Sequence, residues 1–203
     1  MSLRAVVFDL GGVILDSPLR AIAEFEHVHG LPPGTVNAHV VDSGSDGAWA
    51  RHERGEIPRS EFLVAFRSEF AARGLEVDTD ELMSDIDRSI RVRPAMLELV
   101  DRLRRREVAT AALTNNWTPF GPDGLAEHFD VMVESVVEGT RKPEPRIYRI
   151  CLERLGVAAS QCVMFDDLGP NLKPARAMGM RTVKVTSEQQ AMTEVERILA
   201  VLK

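Results

Sequence analysis

Five short apolar runs, separated by stretches of helical periodicity, constrain the fold of this chain more than any other feature. The first, Ala5 to Leu10, is stopped by Gly11-Gly12, and similar runs recur at Val108 to Leu113, Val131 to Val137, Gln161 to Phe165 and Thr182 to Val185. Runs this short and this continuously apolar read as strands buried on both faces, each closed by a turn. Between them, Met96, Leu97, Val100 and Leu103 form one helical stripe, and Ile147, Tyr148, Cys151, Leu152 and Leu155 form another. This alternation predicts an α/β fold, a parallel sheet flanked by helices. Pro145 suits a first helical turn, and Gly156 and Gly179 stand where left-handed helix ends are wanted.

The alternation fails between Ser17 and Arg93, where Phe62, Leu63, Phe66 and Phe70 mark helix with no strong strands between. A chain of 203 residues holds one full core and a modest appendage. The expected division is an α/β core, residues 1–16 and 94–203, with a small helical cap, residues 17–93, inserted after the first strand. Because it leaves the sheet directly after that strand's turn, the cap should lie over the carboxyl ends of the strands, where open α/β sheets bind ligands.

Composition excludes several classes of function. A net charge of −6 and a pI near 5.4 oppose broad binding to a nucleic-acid backbone, which needs clustered positive charge. Arg102, Arg104, Arg105 and Arg106 sit opposite the negative end of a helix dipole and read as a solvated face. Cys151 and Cys162 match neither a metal knuckle nor a disulfide framework. No apolar stretch reaches membrane-spanning length, and the run before Asp9 is too short for a signal-peptide core. The expectation is a soluble, cytoplasmic protein without a nucleic-acid or membrane partner; its oligomeric state is not legible.

Polar residues gather at the strand ends: Asp9; Thr114 with Asn115 and Asn116; Lys142; and Asp166 with Asp167. Singly, each is an ordinary turn former, helix cap or solvated charge. Together they converge on one edge of a parallel sheet, where carboxylates without compensation repel one another. Lys142 and a divalent cation would bring the set near neutrality, and all-oxygen ligands suit Mg²⁺. A bound phosphate would meet the Thr114 hydroxyl, the Asn115 amide and backbone N–H groups after Asp9. Asp9 is then placed as a nucleophile that forms an aspartyl-phosphate, which splits the reaction into two easier displacements.

These residues resemble the motifs of the haloacid dehalogenase superfamily. Phe8-Asp9-Leu10-Gly11-Gly12-Val13, Leu113-Thr114-Asn115-Asn116, Lys142-Pro143-Glu144-Pro145 and Phe165-Asp166-Asp167-Leu168-Gly169 fit it in order and spacing. Val133-Glu134-Ser135, Gly139 to Pro145 with Ile147-Tyr148, and Asp166 to Arg176 are most similar to the N-terminal phosphatase domain of soluble epoxide hydrolases and the head of certain multidomain acyl-CoA dehydrogenases. The resemblance implies a Rossmann-like core with a helical cap, and Mg²⁺ held by Asp9, the Gly11 carbonyl and Asp167, with Asp166 acting directly or through water. It also implies phosphate held by Thr114 and Asn115, Lys142 neutralising the nucleophile and phosphoryl oxygens, and Asn171 orienting the acidic loop. The sequence contains no Gly-x-Ser-x-Gly nucleophile elbow, so this kinship carries no epoxide chemistry.

Phosphatases of that superfamily usually place a second Asp two residues after the nucleophile to shuttle protons, and here that position is Gly11. Such groups contribute about 10²- to 10⁴-fold in rate. Asp16 and His52 are the substitutes to weigh, although Asp16 also reads as a loop-closing residue before Ser17-Pro18 and His52 as a surface residue among arginines. His27 and His29 do not share a helix face, and Trp49 and Phe62 read as packing. The expected function is a Mg²⁺-dependent phosphatase of a small phosphorylated metabolite. The alternative, favoured by Gly11, is a phosphate-binding or regulatory module with weak turnover. A dehalogenase needs no metal and is disfavoured by the Asp166-Asp167 pair.

Overall fold

The computed structural model describes residues 3–121 and 124–201. Its elements in chain order are β1 (Ala5–Phe8), α1 (Pro18–Val28), α2 (Thr35–Ser43), α3 (Ala48–Glu53), α4 (Arg59–Ala71), α5 (Thr79–Ser89), α6 (Pro94–Arg105), β2 (Ala109–Thr114), β3 (Val131–Glu134), α7 (Ser135–Glu138), α8 (Pro145–Leu155), β4 (Cys162–Asp166), α9 (Gly169–Ala177), β5 (Arg181–Lys184) and α10 (Glu188–Val201). The five strands are parallel, in the order β3-β2-β1-β4-β5.

Central β1 explains why its run is apolar at every position. Val6 and Phe8 pack with Met96, Val100 and Leu103 of α6 and with Val195 and Ile198 of α10. Ala5 and Val7 pack on the other side with Ile147, Tyr148 and Cys151 of α8 and with Leu172 and Ala175 of α9. Successive strand side chains point to opposite faces, so a sheet covered on both sides requires an apolar residue at each. Phe8 stacks on Phe165 with ring centroids 5.2 Å apart; truncating either to Ala would cost about 3–5 kcal/mol.

Two elements differ from expectation. The run Val131 to Val137 is strand only as far as Glu134, and Ser135 opens the short helix α7. Ser135 Oγ accepts from the Asn116 N–H at 3.0 Å and donates to the Asn116 carbonyl at 3.1 Å, which turns the chain toward the loop after β2. On α6, Leu99 and not Leu97 joins the fully buried stripe, because Met96, Leu99, Val100 and Leu103 keep the i, i+3, i+4, i+7 spacing of a single face.

Helices α1 to α5 contain no strand and build an apolar cluster of their own, including Phe25, Phe62, Phe66, Phe70, Leu82 and Ile86. Phe62, Phe66 and Phe70 recur once per turn of α4, with centroids 5.1 and 4.9 Å apart. Trp117, just after β2, packs against this cluster, and α3 lies on α7. The helical segment thus rests on the loops that leave the carboxyl ends of β2 and β3. No helix among the described residues is long and apolar enough to cross a membrane.

Candidate active site

Phe8 pairs with Ala112 of β2 and Phe165 of β4, and the Asp9 N–H continues the ladder to the Phe165 carbonyl at 2.8 Å. Asp9 is therefore held at the middle of the sheet's carboxyl edge, flanked by the loop after Thr114 and by Asp166. Lys142, buried, places Nζ 2.7 Å from Asp9 Oδ1 and 2.9 Å from Asp166 Oδ2. The Leu10 N–H donates to the same Asp9 oxygen at 2.7 Å.

Asp166 is fully buried and accepts from the Leu168 N–H at 2.8 Å and from Asn171 Nδ2 at 3.1 and 3.2 Å. Asn171 is fixed from behind by Tyr148, whose hydroxyl donates to the Asn171 carbonyl at 2.6 Å. One oxygen each from Asp9, Asp166 and Asp167 lie within 4.8 Å of one another, a compact set of hard donors that fits Mg²⁺. Burial raises the Asp9 carboxyl well above the usual carboxylate range; Lys142 opposes the rise and Asp166 adds to it. Burial and then the Asp166 charge raise Asp167 as well. Burial alone would pull the Lys142 ammonium down, but the charges of Asp166 and Asp9 outweigh it, so Lys142 stays protonated. Burial thus disfavours the charged form of both carboxyls, and Lys142 offsets it only in part.

On the neighbouring strand, Thr114 is buried at the end of β2. The Asn115 side chain clamps Lys142 in both directions: Oδ1 accepts from its N–H at 2.8 Å and Nδ2 donates to its carbonyl at 3.0 Å. Its amide is thereby committed to positioning the lysine. Asn116 Nδ2 donates to Glu134 at 2.6 Å, so β3 braces the loop.

The turn after Asp9 distinguishes its two glycines. Gly12 has φ +75°, and a Cβ there would stand 2.2 Å from Asp167 Oδ2, so only glycine lets the acidic loop approach. At Gly11 a Cβ would meet only Pro18 Cδ at 3.5 Å, an ordinary contact.

The structure gathers Asp9, Gly11, Thr114, Asn115, Lys142, Asp166, Asp167 and Asn171 around one edge, and the two substitutes for the missing Asp have other partners. Asp16 is half exposed and turned to Arg93 at 3.3 Å. His52 is not the surface residue expected of it: it is buried, stacked on Phe62 with centroids 4.5 Å apart, and its Nδ1 meets the Ile57 carbonyl at 3.0 Å. Since a carbonyl only accepts, that nitrogen carries its hydrogen already committed. Sequence reasoning missed Glu53 of α3, whose Oε2 takes Arg141 Nε and lies 3.4 Å from Asn115 Nδ2. It also missed Ser17, whose hydroxyl lies 3.4 Å from Asp167 Oδ2. Separations of 88 and 150 residues leave no local pattern for either contact. Tyr148 did carry a signal, because a phenol in an apolar stripe needs a partner for its hydroxyl.

Comparison with known proteins bears out the resemblance. Residues 3–179 match the family of haloacid dehalogenase-like hydrolases. The chain is 35% identical over 205 residues to acyl-CoA dehydrogenase family member 10 of Mus musculus, covering 98% of this chain and 19% of that protein. It is 33% identical over 220 residues to bifunctional epoxide hydrolase 2 of Sus scrofa, covering 99% of this chain and 40% of that one. It thus spans less than half the length of either relative. A phosphatase of Mycobacterium tuberculosis is 31% identical over 221 residues, covering 100% of this chain and 96% of its own. Among solved structures, a haloacid dehalogenase-family enzyme of Bacteroides thetaiotaomicron, in complex with magnesium and inorganic phosphate, superposes with a TM-score of 0.65 at 21% identity, covering 92% of this chain and 96% of that one.

Proposed function

The chain belongs to the haloacid dehalogenase-like hydrolases, and on that premise we propose that it is a Mg²⁺-dependent phosphatase that works on a small phosphorylated metabolite through an aspartyl-phosphate at Asp9. One observation carries the reading: Asp9 stands within reach of Asp166 and Asp167 while the buried Lys142 ammonium holds its Oδ1 at 2.7 Å.

Asp9, Asp167 and the Gly11 carbonyl would hold Mg²⁺, with Asp166 directly or through water, and the ion would offset the charge of the carboxylates and phosphoryl oxygens. Lys142 and the Leu10 N–H orient the Asp9 carboxylate by one oxygen. The Thr114 hydroxyl and the backbone N–H groups of Asn115 and of the turn after Asp9 hold the phosphoryl oxygens. The carboxylate attacks phosphorus, the ester P–O bond breaks, and the leaving oxygen takes a proton from solvent water to depart as the alcohol. Water then attacks the same phosphorus, giving its proton to the hydroxide left by the first step, and the P–O bond to Asp9 breaks to release phosphate and free the carboxylate. Asn171 and Tyr148 keep Asp166 in register, and the Asn115 amide keeps Lys142 there.

Residues 17–93 act as a cap on a core of residues 1–16 and 94–203. Support comes from Glu53 and Arg54, which reach Arg141 and Glu144 on either side of Lys142. Two free, buried thiols, Cys151 and Cys162, suit a reducing, cytoplasmic setting. The alcohol must take its proton without a carboxyl at position 11, so esters with good leaving groups react fastest. Gly11 equally favours a second reading, a phosphate-binding or regulatory module with weak turnover.

Hydrolysis of a panel of phosphate esters, with Mg²⁺ and with EDTA, separates the two. Metal-dependent turnover that vanishes in Asp9→Asn is the expected result. Binding of Mg²⁺ and phosphate without Asp9-dependent turnover of any ester would overturn it in favour of the second reading.

A further inference from the structure

The turn after Asp9 carries the Gly11 carbonyl and the backbone N–H groups proposed for Mg²⁺ and phosphate, yet it is built on two consecutive glycines, Gly11 and Gly12. Glycine restrains its own backbone least, so the directions of these groups have to be set from outside the turn. Little of the restraint is internal. The N–H groups of Val13, Ile14 and Leu15 all donate to one carbonyl, that of Leu10, at 3.2, 2.9 and 2.8 Å. Among the described residues no backbone N–H donates to the carbonyls of Gly12 and Val13, although both residues are buried. Buried carbonyls need a partner.

Arg93 supplies it. Its Nη1 donates to the Gly12 carbonyl at 2.8 Å and lies 3.4 Å from the Val13 carbonyl, while its Nε donates to Asp16 Oδ1 at 3.3 Å. The Arg93 N–H donates to the Ile14 carbonyl and the Asp16 N–H to the Arg91 carbonyl, both at 2.9 Å, so Leu15 and Val92 pair as antiparallel neighbours. Arg93 directly precedes α6, whose Met96, Val100 and Leu103 pack with Val6 and Phe8 of β1. The guanidinium is thereby anchored on the core, and its side chain is only 17% exposed. Because a peptide is planar, holding the Gly12 carbonyl holds the whole Gly12–Val13 peptide. That narrows the rotation of the preceding peptide, the one whose Gly11 carbonyl would meet Mg²⁺.

We infer that Arg93 is a positioning residue of the phosphoryl site, which sets the Gly11 carbonyl and the neighbouring N–H groups by holding the carbonyls of Gly12 and Val13. The inference rests on the phosphatase reading and adds to it a residue that acts without touching metal or substrate. Its rivals predict other outcomes. A guanidinium that acted only as a nearby positive charge would repel Mg²⁺, so its removal would tighten metal binding. One that served stability alone would lower Tm in EDTA and leave the affinity of the folded protein for Mg²⁺ as it was.

The test titrates Mg²⁺, and then inorganic phosphate at saturating Mg²⁺, into the full chain by calorimetry, at a temperature where each protein is folded, for wild type, Arg93→Met and Arg93→Lys. Arg93→Met keeps the stem and removes the donors; it should weaken Mg²⁺ by about 10- to 100-fold, and phosphate with it. Arg93→Lys keeps the charge, but one ammonium does not span the two carbonyls and Asp16 as the guanidinium fork does. It should weaken Mg²⁺ less than Arg93→Met does, yet measurably. Unchanged or tighter Mg²⁺ binding in Arg93→Met overturns the inference, whatever the change in Tm. If Arg93→Met does not fold, unchanged Mg²⁺ binding in Arg93→Lys overturns it. Neither titration uses turnover, so a wild type that binds Mg²⁺ and hydrolyses no ester strikes the phosphatase reading alone, and a wild type that binds no Mg²⁺ overturns both.

Discussion

Replacing Lys142 with Met removes a charge that two buried carboxylates share while keeping a side chain of similar length. Asp9 and Asp166 are 6% and 0% exposed and lose ammonium contacts of 2.7 and 2.9 Å. Removing one partner of a buried ion pair costs about 3–5 kcal/mol, and for a chain of this size that lowers Tm by about 6–20 °C. Because the lysine bridges two carboxylates, the upper half of that range is expected. With the ammonium gone the site is more negative, so Mg²⁺ should bind the variant more tightly than wild type. At a hundredfold excess over Kd the metal returns about 2.7 kcal/mol. Thermal unfolding near neutral pH, in EDTA and across a Mg²⁺ titration, reads both effects, and ester hydrolysis should fall by at least about 10²-fold in parallel. A variant that melts within about 2 °C of wild type in EDTA, or whose Tm does not respond to Mg²⁺, would refute the view that Lys142 holds this cluster together.

Three further perturbations act on the same edge of the sheet. Gly12→Ala adds a Cβ 2.2 Å from Asp167 Oδ2 at φ +75°; it should cost about 1–2 kcal/mol in backbone strain and weaken Mg²⁺ by about 10- to 100-fold, and an unchanged Mg²⁺ titration would contradict the close approach. Gly11→Asp has room and no left-handed backbone to satisfy. It should raise kcat on esters with poor leaving groups, up to about 10²-fold, whereas an unchanged rate would mean that another proton donor already serves. The His52 pKa is lowered by burial from the ordinary 6.5, so below that value the unfolded chain binds the extra proton first. The stability tied to this ring is complete above pH 6.5 and lost as pH falls toward the folded value. His52→Phe should therefore flatten the decline in urea midpoint between about pH 7 and pH 5; parallel curves for the two proteins would sink the assignment.

The core was legible because its signals are local. Val6, Val7 and Phe8 must be apolar at each step when both faces of β1 are covered, and Pro145 and Gly156 mark the ends of α8 where the chain itself requires them. The converging residues were legible for a related reason. A parallel sheet delivers every strand's carboxyl end to one edge, so Asp9, Thr114 and Asp166 meet by topology before any side chain is placed. Their family resemblance was carried by the same short motifs.

What stayed hidden depends on contacts between residues remote in sequence. That Asn115 spends its amide on the Lys142 backbone, that Tyr148 braces Asn171, and that Glu53 joins Arg141 are outcomes of packing, with no spacing rule to announce them. His52 shows the limit most sharply. Among arginines and glutamates it reads as a surface residue, yet Phe62 and Trp117 bury it, and burial turns its free nitrogen into an acceptor. Sequence alone determined the α/β order, the acidic cluster around Asp9 and the missing carboxyl at Gly11, since each is written in residue type and strand order. Tertiary structure alone decided which glycine is obligatory, which amide holds the lysine and which imidazole is buried between aromatic rings, because distance and desolvation exist only once the chain has folded.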